Sequence, residues 1–149
     1  MKALSIHSIY ASAIACCLKI VELRSWRTSY RDDILICSTI ADSKSKDLKD
    51  CFIFGKALAV ATIRDCRPFQ ESDRLAAFIE DDFDAKNLFS WEFDNIRPIK
   101  PFNIKGQQRL FNVDVKNIEY LNIDPFDELD KLEEYWISNG YIKEFPWEY

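Results

Sequence analysis

The hydrophobic positions of this chain fall into short segments separated by polar turns, and most of these segments alternate with the period of two that is typical of β-strands. The clearest is residues 56–64, where Leu58, Val60 and Thr62 share one face. Residues 34–37 form a continuous apolar run instead, which predicts a central strand buried on both faces. Further strands are predicted at residues 2–6, 21–26, 87–93, 110–115 and 118–123.

Other segments carry apolar residues at helical spacing. Residues 8–17 are rich in alanine and begin at Ser8, a residue type that commonly caps helices. A short crossover helix is predicted over residues 71–79, and an amphipathic helix with an acidic outer face over residues 125–139. The patterning alone therefore predicts a mixed fold that is rich in sheet.

Two stretches are expected to lie outside regular central strands. Residues 97–102 contain Pro98 and Pro101, which cannot donate to a sheet ladder, so this segment is expected on a sheet edge or in a loop. Residues 42–50 are polar and predict a surface loop or a short helix.

The length and composition suit one domain with a substantial core. The chain has 149 residues, 48% of them hydrophobic, and only three glycines and five prolines, which argues against a long disordered linker. No apolar run approaches the roughly 18 to 20 residues of a membrane span, and the first residues lack the order of a signal peptide. A cytoplasmic protein without a membrane partner is therefore expected.

The charge is unevenly distributed along the chain. The net charge is −5, which argues against a protein that coats nucleic acid by bulk electrostatics. Residues 1–70 nevertheless hold 11 Lys and Arg against 7 Asp and Glu, whereas residues 111–149 hold 3 against 10. A basic first half allows a local site for nucleic acid or a nucleotide, while indiscriminate binding is not expected.

The five cysteines are scattered and form no C-x-x-C pair, and the chain has a single histidine. Zinc sites need clustered thiolate and imidazole ligands, so the sequence predicts neither a metal nor another cofactor. Apolar neighbours favour reduced, mostly buried thiols.

Charged and aromatic side chains are most concentrated in residues 17–31. If this segment is a strand, Glu22, Arg24 and Trp26 share one face, while Val21 and Leu23 point towards the core. Lys19 is three residues before Glu22, so it is expected in the loop that leads into the strand. Two interpretations are open: a site for an anion or polar ligand at a helix-to-strand turn, or a solvated edge strand with ordinary ion pairs.

The residues Lys19, Glu22 and Arg24 resemble the G-x-K-x-x-E-x-R motif of the ASCH family, small domains related to the PUA fold of RNA-binding proteins. Similar segments occur in the same order over about residues 2–112. They are Leu4-Ser5-Ile6, Tyr10-Ala11-Ser12, Arg24-Ser25-Trp26, Tyr30-Arg31, Asp65-Cys66-Arg67-Pro68, Trp91-Glu92-Phe93, residues 97–102 and residues 105–111.

The resemblance implies an α+β, PUA-like fold: a small, partly open β-barrel of about six strands flanked by helices. Residues 1–149 would form a single domain, with the acidic C-terminal helix packed on the core. One position departs from the family, because the motif glycine is Cys17 here. Glycine after a helix commonly has a left-handed backbone, which costs other residues about 1 kcal/mol. The turn is expected either to be built differently or to strain Cys17.

The resemblance further implies that the motif lines a cleft for RNA, a nucleotide or a modified nucleoside. Lys19, Arg24, Arg27 and Arg31 would contact phosphate, and Trp26 or Tyr30 would stack on a base. Ser38, at the end of its strand, and the amide of Gln107 complete the expected ligand-binding residues, which are Arg24, Trp26, Arg27, Tyr30, Arg31, Ser38 and Gln107.

The alternative is an enzyme, since some proteins with an ASCH domain look like ribonucleases or amidohydrolases of acylated nucleosides such as acylated cytidine. Lys19 and Glu22 would then act as a paired base and acid, beside a hydroxyl such as that of Ser38, Thr39 or Tyr30. A third class is a protein-interaction domain that uses the acidic helix. The sequence leaves all three classes and the oligomeric state open, because function depends on the site and not on the fold.

Overall fold

The computed structural model describes residues 1–40 and 53–122, and its framework is one sheet of six strands. The strands are β1 (Lys2–Ile6), β2 (Val21–Arg24), β3 (Asp33–Ser38), β4 (Lys56–Pro68), β5 (Phe89–Asn103) and β6 (Leu110–Asn112). Two short helices flank the sheet: α1 (Ser8–Ala15) and α2 (Arg74–Ala77), the second preceded by a 3-10 turn over Glu71–Asp73.

The strands lie in the order β2-β5-β4-β3-β1-β6, with β1 and β3 parallel and the other neighbours antiparallel. The sheet curls strongly. Three strands separate β2 from β1 in the order, yet the side chain of Arg24 in β2 reaches the Ser5 carbonyl oxygen in β1 at 3.0 Å. This curvature confirms the expected α+β fold, a partly open barrel flanked by helices.

Apolar side chains fill both faces of the sheet. Successive residues of β3 alternate between the two clusters, as the period of two requires. The larger cluster lies under α1 and contains Leu4, Ile6, Ala11, Ile14, Ile34, Ile36, Leu58, Ala59, Ala61, Ile63, Cys66, Trp91 and Phe93. The other contains Ala3, Leu35, Cys37, Ala57, Val60, Ile99 and Phe111. The apolar run of residues 34–37 is thus buried on both sides, as predicted.

The three prolines within the described residues lie in parts of β4 and β5 that have a full strand on one side only. Strand β2 pairs with β5 only as far as Glu92, and beyond it the described residues add to this side of β5 only the bridge between Ile99 and Tyr120 with its flanking hydrogen bonds. Pro98 and Pro101 therefore lie at an edge of the sheet, one of the two outcomes expected for residues 97–102. Strand β3 pairs with β4 only to Thr62, but β4 continues beyond its predicted end at residue 64 to Pro68, because β5 pairs with it along that length. The ladder between β4 and β5 shifts register at three places along this length.

Several predicted boundaries differ from the structure. The helix expected over residues 8–17 ends at Ala15. Its N-cap is His7 and not Ser8 as predicted, because β1 extends to Ile6 and leaves only one residue to link the strand to the helix. Strand β6 ends at Asn112 instead of residue 115, because its last partner Lys2 is at the start of β1.

The expected strand at 118–123 is represented by one bridge between Tyr120 and Ile99. The predicted helix at residues 125–139 and the polar stretch at residues 42–50 lie outside the described residues, and the single-domain assignment remains a prediction. No helix in the described part of the chain is long and apolar enough to cross a membrane.

Helix α1 ends in a Schellman motif, which directs the chain into the segment before β2. The Leu18 amide donates to the Ala13 carbonyl at 2.9 Å, and the Cys17 amide donates to the Ile14 carbonyl at 2.9 Å. Cys17 has φ of 63°, the left-handed conformation that glycine adopts without cost. The turn therefore keeps the geometry that a glycine would have, and Cys17 is strained.

Asp73 connects the turn before α2 to two strands. Its buried carboxylate accepts hydrogen bonds from both terminal nitrogens of Arg67 in β4, each at 2.7 Å, from the Gln70 amide at 2.9 Å and from the Ser90 hydroxyl in β5 at 2.8 Å. The Arg67 guanidinium and the other donors lower the pKa of the Asp73 carboxyl to about 2, against the opposing effect of burial. This network fixes where α2 lies on the sheet.

We expect Cys17→Gly to raise the free energy of unfolding by up to about 1 kcal/mol, because it relieves the left-handed strain. Urea denaturation followed by circular dichroism measures the change. Cys16→Gly is the matched control: Cys16 has φ of −86°, so glycine there relieves nothing and lowers the free energy of unfolding. Equal effects of the two substitutions would show that the turn is not strained at Cys17.

We expect the Asp73 network to make stability depend on pH in the acid range. Because the folded pKa lies below the unfolded one, the contribution of about 2 kcal/mol is complete above pH 4 and is lost as the pH falls towards 2. The difference in unfolding free energy between wild type and Asp73→Asn should therefore shrink from pH 6 to pH 2. Asp82→Asn, which changes an exposed carboxylate outside the network, is the control, and a constant difference for Asp73→Asn would contradict this assignment.

Candidate functional site

The segment that carries the motif is fixed by backbone hydrogen bonds on both sides. Ile20 donates its amide to the Ala76 carbonyl in α2 at 3.0 Å and accepts the Phe93 amide of β5 at 2.8 Å. Lys19, between the helical turn and β2, donates its amide to Ala13 at 3.2 Å. Lys19 thus lies in the loop that leads into the strand, as expected from its spacing to Glu22.

Lys19 is almost completely buried, with 2% of its surface exposed. Its ammonium donates a hydrogen bond to the Ala77 carbonyl oxygen at the end of α2 and lies 3.5 Å from Glu22 Oε1. It also lies 5.3 Å from the centre of the Tyr10 ring. Burial lowers the pKa of Lys19 from its usual value, and the Glu22 carboxylate partly opposes this change. All of these contacts enclose the ammonium within the protein.

Glu22 lies between two cations. Its Oε1 faces Lys19, and its Oε2 accepts a hydrogen bond from Arg24 Nη2 at 2.9 Å. The same Arg24 nitrogen donates to the Ser5 carbonyl, whereas Arg24 Nε is buried and has no partner among the described residues. The Glu22 carboxylate therefore neutralises only one of the two poorly exposed cations, Lys19 and Arg24. The three side chains together keep a net positive charge.

Aromatic side chains continue the site beyond β2. The Trp26 ring packs edge-to-face against Trp91, with ring centres 4.7 Å apart, and the Trp91 indole donates to the Trp26 carbonyl at 3.2 Å. The Arg109 guanidinium lies over the Trp26 ring, 5.0 Å from its centre. Arg27 similarly lies 5.3 Å from the centre of the Phe89 ring. We call Glu22, Arg24, Trp26, Arg27 and Arg109 the motif surface.

Three of the predicted ligand-binding residues are used in local structure. Tyr30 donates its hydroxyl to the Asp33 carbonyl at 3.0 Å, and Arg31 donates to the Thr28 carbonyl at 2.7 Å and the Tyr30 carbonyl at 3.1 Å. Ser38 is buried at the end of β3, where its hydroxyl bonds with the backbone of Lys56 at 3.2 Å. These polar groups stabilise loops and strand ends, and within the described residues none forms a hydrogen bond or ion pair with the side chains of Glu22, Arg24 or Trp26.

Gln107 is exposed in the loop between β5 and β6, two residues before Arg109. The structure thus brings Lys19, Glu22, Arg24 and Trp26 together with Arg27 close by, and places Gln107 on the neighbouring loop. Tyr30, Arg31 and Ser38 lie outside the charged network.

Sequence reasoning missed three groups that complete this arrangement. The carbonyls of Ser5 and Ala77 hold the two cations, and Arg109 covers Trp26. Backbone acceptors have no signature in the sequence, and only the glycine-containing turn just before Arg109 could have suggested a loop near the site. Within residues 1–40 and 53–122, no group of three or more His, Cys, Asp or Glu is placed to hold a metal ion.

Comparisons with known proteins agree with this fold. A family model of the ASCH domain matches residues 4–149. The crystal structure of ASCH from Zymomonas mobilis superposes with a TM-score of 0.56 at 16% identity, covering 88% of this chain and 94% of that one.

Crystal structures of two mutants of the same Zymomonas mobilis protein are also similar. A tyrosine-to-phenylalanine mutant gives a TM-score of 0.54 at 15% identity over 88% of this chain and 96% of that one. A serine-to-alanine mutant gives 0.53 at 16% identity over 88% and 94%. A comparison with curated proteins found no match. The family match over nearly the whole length, together with the curled six-stranded sheet and its PUA-like fold, shows that this chain belongs to the ASCH domain family.

Proposed function

We propose that this protein binds RNA or a nucleotide-like ligand at the motif surface. The observation that carries the proposal is the incomplete charge compensation there: Lys19 and Arg24 share the single carboxylate of Glu22, and Arg27 and Arg109 lie over the neighbouring rings of Phe89 and the half-buried Trp26. Cations suit phosphate, and a fixed indole suits a base, which is the combination that single-stranded nucleic acid needs.

Each residue has a distinct part in this proposal. Arg24 offers its Nη1 to a phosphate or a base carbonyl, since Nη2 is held by Glu22 and Ser5 and Nε is buried. Lys19 and Glu22 are positioning residues, because they fix Arg24 and are themselves nearly enclosed. Arg27 adds positive charge beside Phe89, and the Gln107 amide can hydrogen-bond to a base edge.

A hydrolase is the second candidate, and one observation favours it. Burial lowers the pKa of Lys19, and a general base needs a pKa near the working pH. Glu22 could then act as its paired acid, as the sequence predicted. The same burial weakens this candidate, however, because the ammonium is held by Ala77 and Glu22 and is closed off from solvent. Binding therefore accounts for the geometry better than proton transfer does.

We expect binding of single-stranded RNA to depend weakly on salt. Three cations of the motif surface can face one ligand, and each neutralised phosphate contributes about −0.7 to the slope of log K against log salt, so the slope should be near −2. Fluorescence anisotropy of labelled RNA at several salt concentrations measures it.

The Arg27→Ala variant should lower the magnitude of that slope by about 0.7, since it removes one phosphate contact. Arg64→Ala is the control, because Arg64 pairs with Glu92, whose side chain points to the face of β5 opposite Trp91. Absence of RNA binding at low salt, together with no binding of nucleotides, would rule out the proposed function.

We expect the wild-type protein to bind acylated cytidine without hydrolysing it, since Lys19 and Glu22, the residues of the hydrolase candidate, are nearly enclosed. Liquid chromatography of the reaction mixture across pH 6 to 10 tests this. Turnover that rises with pH as Lys19 loses its proton, and that disappears in both Lys19→Met and Glu22→Gln, would instead establish the hydrolase. Arg64→Ala again serves as the control, and circular dichroism shows whether each variant is folded.

A further inference from the structure

The loop of residues 104–109 is packed directly against β1 beside the motif. Gly106 lies so close to Ser5 that an added Cβ would be 2.5 Å from Ser5 Oγ. The carbonyl of the same Ser5 accepts the hydrogen bond from Arg24. One residue of β1 therefore contacts both the loop and the charged network, so the loop has a defined position next to Arg24.

Arg109 ends this loop in a strained conformation that presents its side chain to Trp26. Its φ is 60°, a left-handed value that is uncommon for residues other than glycine, asparagine and aspartate. Its guanidinium lies over the Trp26 ring, and the ring is held in turn by Trp91. The strained backbone thus places a cation on the aromatic surface that a base would use.

We propose that Arg109 is a placeholder on Trp26 that the base of a bound nucleotide displaces, after which its guanidinium contacts the phosphate. This proposal rests on the nucleotide-binding function above. A cation–π contact at an exposed site is weaker than stacking of a base on an aromatic ring, so the exchange favours the ligand. A guanidinium then gains a bidentate phosphate partner in place of the indole.

The consequence is selectivity for phosphorylated ligands over free nucleosides. A nucleoside has to displace Arg109 and leaves its guanidinium without a new partner, whereas a nucleotide or an RNA strand supplies that partner. Arg109 therefore determines specificity without itself recognising a base, and the site distinguishes nucleotides by their phosphate.

Calorimetric titration of the full chain with the four common ribonucleosides and their 5′-monophosphates tests the proposal. Wild-type protein should bind the best monophosphate about tenfold more tightly than its nucleoside. In Arg109→Asn the ratio of the nucleoside Kd to the monophosphate Kd should fall to about threefold or less, chiefly because the nucleoside binds this variant at least as tightly as it binds the wild type. Asparagine accepts a positive φ, and Arg109→Gly provides a second variant that relieves the backbone strain.

Arg64→Asn removes the same charge on the opposite face of the sheet and should leave the ratio near tenfold. An unchanged ratio in Arg109→Asn and Arg109→Gly would overturn the placeholder and leave nucleotide binding intact. An equal fall in Arg64→Asn would overturn it too, since overall charge would then explain the preference. Wild-type protein that binds neither monophosphates nor RNA would reject both this inference and the proposed function.

Discussion

The position of Glu22 between Lys19 and Arg24 is the constraint on which the rest of this site depends. Its carboxylate is nearly buried, and burial of a charge is favourable only when partners compensate it. Each cation needs a further acceptor, which the carbonyls of Ala77 and Ser5 supply. The network thereby links β2 to the end of α2 and to β1, so the curvature of the sheet and the geometry of the charges support each other.

Backbone strain is concentrated around the same groups. Cys17 comes two residues before Lys19, Phe78 follows the carbonyl that holds Lys19, and Arg109 covers Trp26; all three have positive φ. Such conformations persist only where the surrounding contacts outweigh their cost. Here the Schellman turn fixes Cys17, the Phe78 and Ile79 amides donate to the Leu75 and Arg74 carbonyls of α2, and close packing of Gly106 on Ser5 fixes the loop before Arg109.

Much of the framework follows from local patterns that the sequence states directly. The continuous apolar run at residues 34–37 predicted a central strand correctly, because a strand covered on both faces has no polar position to show. The prolines at 98 and 101 were expected at an edge or in a loop, and the absence of a donor explains the edge. Strand ends were less predictable, since β4 continues to Pro68 only because β5 pairs with it along that length.

The sequence by itself determined that Glu22 and Arg24 share one face of a strand and that Lys19 precedes it in a loop, since the period of two is a local property. Only the tertiary structure decided which groups meet them. The contact of Lys19 with Ala77 spans 58 residues, and that of Arg24 with Ser5 depends on the curl of the sheet. The sequence predicts Tyr30, Arg31 and Ser38 as ligand-binding residues like Arg24, yet their donors bond to backbone carbonyls. Backbone acceptors and sheet curvature leave no residue pattern, so three-dimensional packing alone assigns these side chains to the site or to the framework.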